Sequence, residues 1–157
     1  MKKFRERYGD WALVAGSAVG LGKSFSESLA AQGFNLVMID NRENQLLSLS
    51  TTLANDYGIQ TIPLSIDLFQ EDAVEIILEK TANQVIRLLI YTAAFSQIKK
   101  YENYTSDDDN QTFVINPIAS NLQLFLNGAE SDGSIVYGTE SNASAVSFAN
   151  RNSDYGN

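Results

Sequence analysis

The 157-residue chain has no cysteine and no histidine. Lacking cysteine, it has no disulfide framework, no thiol nucleophile and no cysteine-based zinc site. Lacking histidine, it loses the commonest general base, every Ser-His triad and the commonest metal ligand together. Proton transfer by this chain falls to tyrosine, lysine or a carboxylate. Positive charge is also scarce: 11 Lys and Arg stand against 19 Asp and Glu, a formal net charge of −8. A nucleic-acid or anionic-membrane face would need Lys and Arg to dominate, so neither partner is expected. No apolar stretch approaches the length of a membrane span, and the basic start MKKFRERYGDW leads into no apolar signal region. The default expectation is a cytoplasmic protein.

The remaining composition, 44% hydrophobic and 19% charged, is that of a folded domain, and the length suits one domain over residues 1–157. Apolar runs of strand length occur at Trp11–Ala15, Phe34–Ile39, Thr61–Ile66, Val85–Ala94 and Ser134–Tyr137. They do not alternate with polar residues, as expected of strands covered on both faces. Between them lie stretches with helical spacing. Leu21, Phe25, Leu29 and Ala30 share one face before Gly33, and Leu46, Leu49 and Leu53 share another before Gly58. Ala73, Ile76, Ile77 and Lys80 follow the acidic start QED, which suits the positive end of a helix dipole. A further helix is expected after Ser106–Asp109, running through Phe113 towards Leu126. Asp107, Asp108 and Asp109 lack the spacing and central glycine of a calcium loop, and a helix start explains them better than a metal. Repeated strand–helix alternation predicts an α/β fold: a Rossmann-like, doubly wound parallel sheet of about five strands. Residues 142–157, rich in Ser and Asn, read as a loop or disordered tail.

The stretch LVAGSAVGLGKS, at residues 13–24, joins the first strand to the first of these helices. Such a junction favours phosphate, because unpaired backbone N–H groups and the helix dipole face the anion. Its G-K-S ending suggests an ATP-binding P-loop, but that motif puts four residues between its first glycine and its Gly-Lys, and Ser17 stands where the first glycine should be. The dinucleotide-binding reading places Gly16 at the tight turn, Gly20 where backbone approaches a pyrophosphate and Gly22 where helix packs on strand. It also asks for an acid at the end of the second strand to bind ribose hydroxyls, and Asp40 stands there. The same acid would serve a P-loop protein, and glycines alone can be turn residues, so both alternatives stay open at this point.

Several motifs in order carry a resemblance. The segment RYGDWALVAGSAVGLGKSFSESLAAQGFNLVMID, with Ala15-Gly16-Ser17-Ala18-Val19-Gly20-Leu21-Gly22 in the position of T-G-x-x-x-G-x-G, resembles the opening of the short-chain dehydrogenase/reductase family. SIDL at 65–68, Tyr91-Thr92-Ala93-Ala94 in the place of N-N-A-G, VINP at 114–117 and GSIVYGTES at 133–141 resemble that family's later motifs. The resemblance implies NAD(P)-dependent hydride transfer to or from a small-molecule carbonyl or alcohol substrate, chemistry that needs neither histidine nor metal. It implies cofactor contacts at Gly16, Ser17, Gly20, Leu21, Gly22, Asp40, Asp67, Leu68 and Ala93, and catalytic positions at Asn116, Ser141 and Tyr155. Asp40 leans the cofactor towards NAD, because a carboxylate repels a 2′-phosphate; Arg42 can moderate that repulsion, so NADP stays open. Homo-oligomers are common in the family.

The catalytic half departs from the family pattern. Glu140 falls in the register of the catalytic serine, with Ser141 one step later. The family's tyrosine is followed four residues on by a lysine that lowers its pKa; no tyrosine here has that partner, and for Tyr155 the position lies beyond Asn157. The sequence is expected to stop short of the family's last helices and strands. Alternatives are a non-catalytic nucleotide-binding or interaction module of the same fold and, further off, a P-loop nucleotide hydrolase.

Overall fold

In a computed structural model, which describes residues 2–93 and 134–137, five strands form one sheet. The strands are β1 (Trp11–Ala15), β2 (Asn35–Asp40), β3 (Thr61–Ser65), β4 (Ile86–Tyr91) and β5 (Ser134–Tyr137). Their spatial order is β3-β2-β1-β4-β5, and all four pairings are parallel. The helices are α1 (Lys2–Tyr8), α2 (Gly20–Ala31), α3 (Glu43–Tyr57) and α4 (Ala73–Lys80). The expected doubly wound parallel sheet is therefore present, with strand bounds within a few residues of the apolar runs.

Side chains alternate across the sheet, and both faces are buried. Leu13, Ala15, Val37, Ile39, Leu89 and Tyr91 pack with Ala73, Val74 and Ile77 of α4. Ala12, Val14, Leu36, Met38, Leu88 and Ile90 pack with Leu29 and Ala30 of α2 and with Leu46, Leu49 and Leu53 of α3. Each fully buried Val, Leu, Ile or Met side chain among these contributes roughly 1.5–3 kcal/mol. Pro63 lies in β3, which pairs only with β2 among the described strands; an edge strand tolerates the missing N–H.

Helix ends follow the expected stops. At the end of α2, Gly33 N–H donates to Ala30 O (2.9 Å) and Phe34 N–H to Leu29 O (3.1 Å), the paired closure of a Schellman motif. Gly58 closes α3 in the left-handed conformation and donates to Ala54 O at 3.0 Å.

One expectation needs correction, and one element was not anticipated. Leu21 is not on the buried face of α2: it is 47% exposed, and the helix buries Gly22, Ser26, Leu29 and Ala30 instead. The helix starts only at Gly20, and its phase sends the second residue outward. Lys80 closes the expected helix α4 and is exposed, as a charged side chain prefers. The start of the chain, expected only to be basic, forms α1, anchored by Phe4 edge-on to Phe34 (ring centroids 5.8 Å apart) and to Tyr8 (4.7 Å).

Candidate functional site

The strands β1 to β3 step outward in one direction and β4 and β5 in the other, so the crossover direction reverses at β1 and β4. In open α/β sheets the crevice beyond the strand ends at such a reversal is where ligands bind. The glycine turn, residues 16–19, lies there, between β1 and α2.

On the β2 side the turn is pinned by main-chain and side-chain bonds. Gly16 N–H and Ser17 N–H donate to Ile39 O at 2.8 and 3.1 Å, and the fully buried Ser17 hydroxyl donates to the same oxygen at 3.2 Å. Ala18 N–H donates to Asp40 Oδ2 at 3.0 Å. Asp40 Oδ1 accepts from Arg42 N–H at 3.0 Å and lies 3.4 Å from the Arg42 guanidinium. The Asp40 side chain is only 2% exposed and that of Arg42 53%. A carboxylate has about four lone-pair sites. Three donors already occupy this one.

On the β4 side, Thr92 N–H donates to Ala15 O at 2.8 Å. The Thr92 hydroxyl lies 2.9 Å from Ala15 O and 3.1 Å from Gly16 O, its one proton shared between them. The turn therefore hangs between both neighbours of β1.

Its three glycines meet different surroundings. Gly16 has φ +81°, and a Cβ there would come within 2.6 Å of Ala93 N. A Cβ on Gly22 would land on Gly16 O and lie 2.5 Å from Thr92 Oγ1, because the first turn of α2 presses directly on the loop. Gly20, with φ +56°, would meet nothing within 4 Å. Among the described residues, that side is open. Val19, the residue preceding α2, makes no side-chain cap, so no side chain of that residue competes for the orphan N–H groups of the first turn. Those groups are the ones that bind anions at helix starts. Lys23 and Ser24, which suggested a P-loop, are exposed; Lys23 pairs with Glu27 at 3.9 Å and the Ser24 hydroxyl donates to Gly20 O at 3.3 Å.

The remaining sequence-predicted positions lie along the same edge. Asp67 is exposed after β3, and its Oδ1 accepts from Phe69 N–H at 2.9 Å. Leu68 turns its side chain into the core, and Ala93 backs the Gly16 turn. Asn116, Ser141 and Tyr155 lie outside the described residues, as do Asp107–Asp109. Thr92 was missed as a contributor to the turn. The signal was a hydroxyl residue ending an apolar strand, at a position where the resembling motif has Asn. Among the described residues no cluster of His, Cys, Asp or Glu is placed to hold a metal, and no helix is long and apolar enough to cross a membrane.

Comparison with known proteins follows the same geometry. The model of the short chain dehydrogenase family matches residues 10–155. The chain is 27% identical over 157 residues to a 7beta-hydroxysteroid dehydrogenase from Collinsella aerofaciens, covering 97% of this chain and 59% of that protein. A solved 7beta-hydroxysteroid dehydrogenase structure superposes with a TM-score of 0.74 at 26% identity, covering 85% of this chain and 53% of that one. A short-chain dehydrogenase from Sphingobium yanoikuyae in complex with NADPH shares the fold, with a TM-score of 0.71 at 20% identity over 82% of this chain and 53% of that one. The chain thus spans little more than half the length of these relatives.

Proposed function

Because the chain belongs to the short chain dehydrogenase family, we propose that it is the cofactor-binding part of an NAD-preferring oxidoreductase acting on a small-molecule carbonyl or alcohol. The observation that carries this reading is the glycine turn, where two glycines are closed in by protein and Gly20 opens outward. A cradle closed on the inside and, among the described residues, open on the outside fits a pyrophosphate resting on the first turn of α2. When bound, the nicotinamide supplies or accepts a hydride.

The chain's own residues take the other roles. Gly16, Ser17, Gly20, Leu21 and Gly22 shape the phosphate cradle, and Ala93 backs it. Asp40, at the end of β2, stands where the adenosine ribose is bound in such folds, and its negative charge disfavours a 2′-phosphate. The Arg42 guanidinium beside it offsets part of that repulsion, so NADP binds more weakly rather than not at all. Asp67 and Leu68 border the adenine. Asn116, Ser141 and Tyr155 orient the substrate oxygen and move the proton. The names of the similar proteins make a hydroxysteroid-like secondary alcohol the first substrate class to try. A cytoplasmic location goes with this reading.

A second reading, a nucleotide-binding module without turnover, is favoured by Glu140 standing in the register of the family's serine. Calorimetric titration with NADH, NADPH and ATP-Mg²⁺ tests the binding claim. NADH is expected to bind, NADPH about tenfold more weakly, roughly 1.4 kcal/mol, and ATP-Mg²⁺ not at all. Tight ATP-Mg²⁺ binding without NADH binding would overturn the reading. NADH binding with no oxidation or reduction of any alcohol or ketone tried would favour the module.

A further inference from the structure

We propose that Thr92 is a positioning residue for the cofactor turn, setting dinucleotide affinity through the Gly16 carbonyl without touching the dinucleotide. This rests on the dinucleotide reading of the turn given above. Thr92 follows β4 directly, and its N–H bond to Ala15 O extends the β1–β4 ladder by one step. Its hydroxyl shares one proton between Ala15 O at 2.9 Å and Gly16 O at 3.1 Å, and so reaches the turn across 76 residues of sequence.

That oxygen is where the two halves of the cradle meet. It belongs to the tight turn, and it is also the atom on which a Gly22 Cβ would land. The Gly16 peptide plane and the first turn of α2 therefore cannot move independently. A donor that fixes the carbonyl also fixes the N–H groups of that helix turn, which face the phosphates. On the other side, Ile39 O and Asp40 hold Gly16, Ser17 and Ala18 through three backbone N–H donors. Those bonds fix the N–H groups of the turn but leave the Gly16 carbonyl untouched. Thr92 supplies the side-chain contact to it. Valine has the shape of threonine but no donor, so Thr92→Val isolates the hydroxyl.

The test is calorimetric titration of NADH, ADP-ribose and adenosine into the wild-type chain, Thr92→Val and Thr92→Ser, with thermal melts of each. Thr92→Val should bind NADH and ADP-ribose about tenfold more weakly, the effect of one lost hydrogen bond. Its adenosine affinity should not change, because adenosine makes no use of the phosphate cradle. A general loss of structure would weaken all three ligands alike. Thr92→Ser keeps the donor and should stay within about threefold of wild type. If Thr92→Val does not fold, Thr92→Ala, which empties the site without filling it, is titrated in its place with the same expectation. Unimpaired NADH binding by the variant lacking the hydroxyl, or equal weakening in Thr92→Ser, overturns the proposal while leaving the dinucleotide reading intact. A wild-type chain that binds no NADH overturns both.

Discussion

At the end of α3, Gly58 adopts φ +65°, and a Cβ built there would meet nothing within 4 Å. At the start of α2, Gly20 adopts φ +56° and likewise faces open space. Six residues of chain around Gly20 tell the two places apart. Gly58 ends a helix and needs only the left-handed conformation, whereas Gly20 sits between Gly16 and Gly22, whose neighbours leave no room for a side chain. The turn after β1 is held by β2 through Ile39 and Asp40 and by β4 through Thr92, while Gly58 makes a single helix-ending bond to Ala54 O. The difference separates a glycine used for conformation from a turn built for close approach. Under the dinucleotide reading, the side of Gly20 left open among the described residues is where the phosphates would rest.

The hardest way to break the comparison is Gly22→Ala. The added methyl would collide with the Gly16 carbonyl and with the Thr92 hydroxyl that donates to it. Overpacking of this kind costs about 1–3 kcal/mol. Thermal melts should show that loss, and NADH affinity should fall about tenfold to a hundredfold as the cradle is forced open. Unchanged affinity would mean that the turn does not contact the dinucleotide.

A smaller effect is expected at the β2 side. Asp40→Asn removes the buried charge but keeps a side-chain oxygen that can accept from Ala18 N–H, and it frees Arg42 from its ionic partner. The ratio of NADPH to NADH affinity should rise about tenfold, the scale of one removed like-charge contact. Titrations of both cofactors read this directly, and an unchanged ratio would sink Asp40 as the discriminating group.

Much of the fold could be read from the chain because its signals are local. The runs from Trp11 to Ala15 and from Ser134 to Tyr137 are strands over the spans expected. Their unbroken apolar character reflects burial on both faces. Gly33 and Gly58 end helices as glycines do. Leu21 was misplaced because the buried arc of α2 runs through Gly22, Ser26, Leu29 and Ala30, with Gly22 packed on the turn, and Leu21 lies about 100° round from Gly22. The seven residues of α1 carry too few apolar positions for a periodic signal. Their order comes from Phe4 meeting Phe34, 30 positions away. In the candidate site, Gly16, Gly20, Gly22 and Asp40 were legible from spacing at a strand–helix junction. That Asp40 also holds Ala18 N–H, and that Thr92 holds Gly16 O, were not, because both are contacts between strands distant in sequence.

The most direct measurement is NADH titration into the wild-type chain, Gly20→Ala and Gly58→Ala side by side. Each substitution forces a methyl onto a left-handed residue, so each should cost about 1–2 kcal/mol of stability in a melt. Only Gly20→Ala should also weaken NADH, by about tenfold or more, because only its methyl points where the phosphates would lie. Equal NADH affinity in the two variants would contradict the claim that the open side of the turn after β1 is a dinucleotide site.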